Sequence, residues 1–182
     1  MRIFPLSVLL SFAILPLMAT EQAFPPTAPG VAEFKTLPAG VLLKSTGRGS
    51  YFDESNGLFR PLFNYISSQK IAMTTPVEAQ IDQAAMYFWI APGEVSKVVG
   101  DRGGVEVLRL AERRVASLGV RGGYGRENFE KTRDKLRAWL EAQVEAEAAG
   151  EAYAVYWHGP FTPWFAKRSE VHIPVRPKSA QR

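Results

Sequence analysis

Hydrophobic and polar positions alternate in several short runs of this chain, while two longer runs follow the spacing of a helix. Runs that alternate, or that are apolar throughout, predict strands. These strands are Val41–Thr46, Ile71–Ile81, Met86–Ile90, Val105–Leu110, Arg114–Val120, Ala152–Trp157 and Glu170–Val175. Apolar residues about 3.6 positions apart predict helices at Gly57–Ser67 and at about Arg126–Glu147.

The first helix carries an apolar stripe that predicts its core-facing side. The stripe consists of Phe59, Leu62, Phe63 and Ile66, at positions i, i+3, i+4 and i+7. Pro61 disfavours a helix interior, so we expect it in the first turn or at a kink.

The order of elements indicates an internal duplication. Arg48-Gly49-Ser50-Tyr51 and Arg121-Gly122-Gly123-Tyr124 occupy the same place before each helix. This register aligns Phe63 with Leu136 and Ile66 with Trp139. Each half reads strand, helix, strands. We therefore predict an α+β fold with one curved, mostly antiparallel sheet and two helices packed on it.

The N-terminal part divides into two segments before this pattern begins. An early Arg2, an apolar run and small residues around Ala19 predict a signal peptide over residues 1–19, which places the mature protein in the periplasm or outside the cell. An uncleaved membrane anchor is the alternative, although the run is shorter than the ~20 apolar residues of a span. Residues 20–32 contain three prolines and predict an extended tether outside the core. The domain is predicted over residues 33–176, with a basic tail at 177–182.

Composition excludes several classes of protein. A chain of 182 residues with 46% hydrophobic and 22% charged residues fits one soluble domain. The excess of Lys and Arg over Asp and Glu is 22 − 18 = +4 and is scattered along the chain, so we expect no nucleic-acid partner. Cysteine is absent, which rules out disulfides, a thiol nucleophile and cysteine-anchored haem.

The residues able to carry chemistry are few. Phosphate-loop, dinucleotide, zinc-protease and α/β-hydrolase motifs are absent from the sequence. His158 and His172 are the only imidazoles and are candidate axial or cleft ligands. Strand alternation places His172 on the same face as Glu170. A structural, hydrogen-bonded role is the alternative for each histidine.

Two stretches give the chain a family resemblance. Lys70-Ile71-Ala72-Met73-Thr74-Thr75-Pro76-Val77, and a second stretch from Gly159 to Val175 containing Phe161-Thr162-Pro163-Trp164, resemble the SOUL haem-binding family. The resemblance covers roughly residues 32–175. It implies a distorted β-barrel flanked by two helices, with a cleft along the first helix that binds haem or a related tetrapyrrole non-covalently.

Carried onto this chain, the resemblance implies a set of haem-contacting residues. They are Leu58, Arg60, Leu62 and Tyr65 on the first helix, with Lys167 or Arg168 meeting the propionates. The implied function is that of a haem carrier, scavenger or buffer.

Two other functions stay open. The stretch Glu170–Val175 also resembles the end of gyrase-inhibitor-like effector-binding domains, in which a buried glutamate contacts cationic ligands; pairing of Glu170 with Arg168 or another basic residue is the structural alternative. A tetrapyrrole-modifying enzyme, or a hydrolase using Glu170 as base, would need a nucleophile and base at recognisable spacing. No such pair is seen, so we predict that the protein is not an enzyme.

Overall fold

The computed structural model describes residues 21–159 and 161–178, which form nine strands and two α-helices. The strands are β1 (Ala32–Leu37), β2 (Gly40–Thr46), β3 (Val77–Gln80), β4 (Ala85–Ile90), β5 (Val105–Leu110), β6 (Arg113–Arg121), β7 (Ala146–Ala148), β8 (Tyr153–Tyr156) and β9 (Arg168–Pro177). The helices are α1 (Tyr51–Ser68) and α2 (Arg126–Glu141). Short 3-10 helices span Pro92–Lys97 and Trp164–Ala166.

The strands form a curved antiparallel sheet in the order β1-β6-β9-β8-β3-β4-β2-β5, and β7 pairs with β9. The predicted α+β class and antiparallel sheet are confirmed. Among the described strands, β1 pairs only with β6 and β5 only with β2, so the two ends of the sheet do not meet. The distorted β-barrel that the resemblance implies is therefore an open, curved sheet in this protein.

The internal duplication is visible in the strand order. In the first half the strands lie in the order β2-β4-β3, and in the second half the corresponding strands lie in the order β6-β9-β8. β3 and β8 join the halves at the centre of the sheet. β1 pairs with β6 and β5 with β2, so each half contributes its first strand to the other half. This exchange ties the halves into one sheet.

The face of α1 that packs on the sheet differs from the predicted stripe. Leu58 and Tyr65 are 1% and 4% exposed and belong to the core, whereas Phe63 is 47% exposed. The helix begins at Tyr51, which stacks on Tyr156 with ring centroids 5.9 Å apart. This contact anchors the N-terminal end of the helix on the sheet. Counted from Tyr51, every seventh residue of the helix is buried, namely Leu58 and Tyr65.

Because the buried face of α1 differs from the predicted one, the alignment between the two helices changes as well. The buried residues Leu58, Leu62 and Ile66 of α1 correspond to Thr132, Leu136 and Leu140 of α2. The predicted match of Phe63 with Leu136 is thus wrong by one residue.

Several predicted boundaries also change. The strand expected at Ile71–Ile81 is confined to β3, and the preceding residues are irregular up to the cis bond between Thr75 and Pro76. α2 ends at Glu141 rather than near Glu147, because the chain turns back to form β7. Pro61 lies inside α1 rather than in its first turn.

Residues 21–31 form part of the packed structure, so the expectation of a tether outside the core is wrong. Phe24 and Thr27 are buried on the face of the sheet opposite the helices. Backbone hydrogen bonds fix both ends of the segment: Ala23 N donates to Thr75 O at 2.8 Å, and Gly30 N donates to Gly119 O at 2.8 Å. Within the described residues, no helix is both long enough and apolar enough to cross a membrane. The predicted signal peptide lies outside these residues.

Candidate functional site

The face of the sheet opposite the helices carries buried charged groups, which is unusual for a sheet interior. Glu78 of β3, Val155 of β8 and Glu170 of β9 lie side by side across three neighbouring strands. Directly opposed residues of antiparallel strands point to the same face. Glu170 and His172 share this face, while Val171 and Ile173 belong to the core under the helices, which confirms the predicted alternation.

Glu170 lies at the centre of this face and is 0% exposed. Thr27 N and Trp157 Nε1 donate to its Oε1 at 2.7 and 2.8 Å. Its Oε2 accepts from three further groups, which are Lys35 Nζ at 3.0 Å, Ser117 Oγ at 2.9 Å and His172 Nε2 at 2.6 Å. Every lone pair of the carboxylate is therefore used. The basic partner is Lys35 of β1 and not Arg168.

The charge state of Glu170 follows from these contacts. Burial opposes ionisation, but the hydrogen bond and charge of His172, and then those of Lys35, outweigh it and lower the pKa of Glu170 from 4.5 to about 2. The side chain is thus a carboxylate at neutral pH and accepts a proton reluctantly. This excludes it as a general base poised near neutrality.

Both ring nitrogens of His172 are occupied. Nε2–H donates to the Glu170 carboxylate, and Nδ1 lies 3.2 Å from the hydroxyl of Tyr153. Burial raises the pKa of Tyr153, and its un-ionised hydroxyl donates to Nδ1 of a neutral ring or accepts from Nδ1–H of a protonated one. His172 is therefore a positioning group for Glu170, and it presents no lone pair to a metal.

A second carboxylate group is built in the same way beside the first. Trp89 Nε1 donates to Glu78 at 2.9 Å, and Arg113 Nη2 contacts both carboxylate oxygens at 2.9 and 3.1 Å. The Arg113 guanidinium also lies 5.2 Å from the centre of the Trp89 ring. Its Nη1 atom is buried without a hydrogen-bond partner. The face thus contains two carboxylates, each held by an indole and a cation.

Phe24 covers the space between these groups. Its ring makes edge-to-face contacts with Trp89 and Trp157, at centroid distances of 5.6 and 5.4 Å. The ring of His172 lies 5.9 Å away, and Lys35 Nζ lies 5.4 Å from the Phe24 centroid. We call the enclosure formed by Trp89, Trp157, His172, Glu170 and Glu78 the aromatic chamber. Phe24 fills it.

A cavity of about 450 Å³ adjoins the aromatic chamber at Trp89. Residues 21–23 form one wall, and the remaining lining is mostly apolar and comes from residues 38–41, 89–92 and Val95. Thr74 also lines it, and its hydroxyl is buried with no hydrogen-bond partner. A polar atom without a partner in an apolar pocket is a ready contact for a ligand group. The volume is in the range of small-molecule sites.

The helix residues predicted to contact haem are mostly in the core. Leu58 and Leu62 are fully buried under α1. Tyr65 is buried as well, because its hydroxyl donates to Gly100 O at 3.0 Å and accepts from Val99 N at 3.1 Å. Leu58 and Tyr65, which are not part of the predicted core-facing stripe, are thus core residues, and Arg60 alone of the four is exposed.

The exposed aromatic side chain of α1 is instead Phe63, and the partly buried Phe59 lies beneath it. Phe59 and Phe63 stack with centroids 5.6 Å apart and an interplanar angle of 17°. Arg60 precedes Phe63 by three positions, and residues so spaced are neighbours on a helix. We call Phe59, Arg60 and Phe63 the α1 patch.

Lys167, Arg168 and His158 lie together at the other end of α1. Lys167 Nζ is 5.0 Å from the ring of Tyr124, which packs on Tyr156 and through it on Tyr51. Tyr51 and Tyr65 are separated along the helix by roughly 21 Å. The structure therefore does not bring the predicted basic pair next to Tyr65.

His158 is also held by the protein. Its Nδ1 accepts a hydrogen bond from Arg168 N at 3.0 Å. A neutral imidazole that accepts at Nδ1 carries its proton on Nε2, so ligation of iron through Nε2 would move that proton to Nδ1 and break the bond to Arg168 N. In the part of the chain that the structure describes, no three His, Asp or Glu side chains converge in a way that could hold a metal ion.

The fold and its sequence motifs agree with one family. The sequence profile of the SOUL heme-binding protein family matches residues 27–174, which is most of the chain. The chain belongs to this family. SOUL proteins are a haem-binding family and not an enzyme family. No curated protein matches the chain significantly.

Solved structures show how widely this SOUL fold is shared. The C-terminal domain of EcmrR is similar with a TM-score of 0.59 and 14% identity, over 80% of this chain and 97% of that one. EcmrR in a complex with DNA matches with a TM-score of 0.62 and 14% identity over 80% of this chain, which spans 57% of the EcmrR chain. A protein described as a hydrolase from Listeria innocua has a TM-score of 0.55 and 14% identity, over 82% of this chain and 94% of its own. At this identity the likeness concerns the fold alone.

Sequence reasoning found Glu170 and His172 in this SOUL protein but missed most of their partners. Lys35 and Ser117 are far from Glu170 in the chain, and no local spacing connects them. Two signals were present: a glutamate inside the apolar stretch around Glu78, and Phe24 between prolines in a segment read as a tether.

Proposed function

We propose that this protein binds haem or a related tetrapyrrole reversibly and without a covalent bond, as a carrier, scavenger or buffer. The observation that carries the proposal is the α1 patch. Phe63 is 47% exposed on the outer side of the first helix, where the SOUL resemblance implies the haem cleft, and it stacks on Phe59, whose ring packs inward against Phe88. A flat macrocycle can extend the stack on the free face of Phe63, and Arg60 beside it suits a propionate.

Burial rather than iron ligation supplies the affinity in this proposal. Both ring nitrogens of His172 are occupied, and Nδ1 of His158 accepts the hydrogen bond from Arg168 N. An exposed apolar macrocycle face gains about 25 cal/mol for each Å² that leaves water. Binding without a protein ligand to iron is weak and rapid, as reversible transfer requires.

Titration of the purified protein with hemin, followed at the Soret band, tests this function. We expect saturation at one equivalent, with a band that is unchanged in His158→Ala and His172→Ala. Phe63→Asp is expected to weaken binding at least tenfold. Phe161→Asp is the matched control, because Phe161 is 98% exposed and lies far along the chain from α1.

Two results would overturn the haem proposal. One is the absence of a saturable Soret shift in the wild-type protein. The other is an equal affinity of Phe63→Asp and Phe161→Asp, since an exposed phenylalanine in any position would then serve as well.

A second candidate function is supported by the aromatic chamber and the adjoining cavity. Indoles, buried carboxylates and an unpartnered Thr74 hydroxyl together suit a small aromatic cation. In this candidate, ligand recognition depends on Glu170, and Glu170→Gln abolishes binding while leaving the α1 patch intact. Tetrapyrrole binding at the α1 patch and cation binding in the chamber are separable by these variants.

A signal peptide over residues 1–19 with cleavage near Ala19 would place either activity outside the cytoplasm. We expect the exported protein to begin at Thr20, which N-terminal sequencing checks. Retention of residues 1–19 would indicate the membrane anchor instead.

A further inference from the structure

We propose that residues 21–31 are a displaceable plug, which occupies a ligand site in the aromatic chamber and itself imitates the ligand. The inference rests on the second candidate function and adds to it the regulation of the site and the class of ligand. We call residues 21–31 the plug segment. Its Phe24 ring fills the chamber, and its Thr27 N–H donates to Glu170 at 2.7 Å.

The surface under the plug segment resembles a binding site more than a core. A segment that serves only as cover is expected to rest on apolar side chains, since burying charges is costly. Here it rests on Glu170, Lys35 and the ring of His172, and the plug segment completes the hydrogen bonds of Glu170 and Lys35. Lys35 Nζ, for example, donates to Pro25 O at 2.9 Å as well as to Glu170.

The plug segment pairs with the backbone of neighbouring elements at only two points within the described residues. Near its start it pairs with Thr75, and near its end with Gly119. Between them Pro25, Pro26 and Pro29 have no N–H to give to a sheet. A segment with so little backbone pairing can open without unfolding the strands below it.

The cavity of about 450 Å³ provides the route of entry. Residues 21–23 line it and lead directly to Phe24, and Trp89 belongs to both the cavity and the chamber. A ligand that enters along this wall meets Trp89 first and reaches Glu170 when Phe24 moves out. The occupant defines the ligand class: an aromatic ring on Trp157 with an N–H donor held beside it on Glu170, as an arylalkylamine can supply.

A substitution at Gly119, which lies outside the aromatic chamber, is expected to displace the plug segment. A Cβ at this position would lie 2.3 Å from Ala28 O and 2.6 Å from Thr27 O, both in the plug segment. These are backbone atoms, which cannot turn aside as a flexible side chain can. Gly119→Ala should therefore push the segment away. Gly93→Ala is the control, since no atom lies within 4 Å of its added Cβ.

A reversible disulfide tests the closed state, in which the plug segment cannot leave the aromatic chamber. Thr27 Oγ1 and Ser117 Oγ are 2.8 Å apart, so Thr27→Cys with Ser117→Cys places two sulfurs within bonding reach. The chain has no other cysteine, and the engineered disulfide is therefore unique. The oxidised and reduced forms of this one protein differ only in whether the plug segment can leave.

The experiment combines hydrogen exchange with binding of 2-phenylethylamine, followed by tryptophan fluorescence. We expect the amides of Ala23, Thr27 and Gly30 to exchange at least a hundredfold faster than those of β2 and β4. Gly119→Ala should accelerate that exchange further and bind the amine at least tenfold more tightly than wild type or Gly93→Ala. The disulfide form should not bind it, and reduction should restore binding. 2-Cyclohexylethylamine, which lacks the aromatic ring, should bind at least tenfold more weakly.

The outcomes separate the plug from the function on which it rests. Faster exchange in Gly119→Ala without amine binding supports the plug and overturns the cation-binding function. Equal and measurable binding by the oxidised and reduced double-cysteine protein, both of which lack the hydrogen bond from Ser117 to Glu170, overturns the plug. Protection of the Ala23, Thr27 and Gly30 amides equal to that of β2 and β4 also overturns it, because the segment would then open only when the whole protein unfolds.

Discussion

Replacement of Glu170 by glutamine tests the electrostatics of the aromatic chamber most directly. Oε1 accepts from two N–H donors and Oε2 from Lys35, Ser117 and His172. In one orientation the new amide N–H₂ faces Thr27 N and Trp157 Nε1. In the other it faces the Lys35 ammonium. Either way donors oppose donors, and Lys35 loses the charge that compensates its burial.

The magnitude follows from the pKa of Glu170. A pKa that falls from 4.5 in the unfolded chain to about 2 in the folded protein corresponds to about 3 kcal/mol of stability at neutral pH. Breaking a buried pair typically costs 3–5 kcal/mol, which agrees. Because the folded pKa is the lower one, this stabilisation is present above pH 4.5 and is lost as the pH falls towards 2.

Urea unfolding, followed by tryptophan fluorescence between pH 7 and pH 2.5, measures this effect. We expect Glu170→Gln to be less stable than wild type by about 3 kcal/mol at pH 7, and the difference to shrink below pH 4.5. Glu106→Gln is the control, because its pair with Lys44 is half exposed and is expected to contribute less than about 1 kcal/mol. A difference between wild type and Glu170→Gln that stays constant across this pH range would refute the reasoning, since the variant would then act through packing alone.

Three further predictions concern the fold. Tyr65→Phe removes two hydrogen bonds to the loop at residues 98–101, so we expect a loss of about 1–2 kcal/mol in urea unfolding and faster amide exchange in that loop; unchanged exchange would contradict the structural role given to Tyr65. Gly40→Ala places a Cβ 2.7 Å from the buried Trp89 ring and should destabilise by about 1–3 kcal/mol. Gly57→Ala, with open space around its Cβ inside α1, should instead stabilise by about 0.5–1 kcal/mol, and a loss of stability there would count against the described helix.

The sequence determined the class of fold, because that information is local and periodic. Strand alternation located the central strands, and the repeated Arg-Gly-x-Tyr motif located the duplication. The same alternation placed Glu170 beside His172, which the structure confirms at 2.6 Å. Two motifs in the order typical of the SOUL family predicted the family over roughly residues 32–175, and the family profile confirms it over residues 27–174.

Apolar periodicity did not determine the buried face of a helix when more than one of its faces was apolar. In α1 the stripe through Phe59 and Phe63 and the stripe through Leu58 and Tyr65 are both apolar enough to pack on the sheet. Contact of Tyr51 with Tyr156 selects the second, and this contact joins residues that are distant in the chain. Tyr65 becomes a core residue only because Gly100 and Val99 satisfy its hydroxyl.

The chemistry of the candidate site was decided by tertiary structure. The sequence alone is compatible with Glu170 as a ligand contact, as a base or as one partner of an ion pair. Which role it has depends on groups from other parts of the chain. Lys35 is 135 residues away and Thr27 is 143 residues away, brought in by the exchanged strand β1 and by the plug segment before it. Local patterns determine which way a side chain points from its strand, whereas the pKa and accessibility of a buried charge depend on whatever the folded chain places around it.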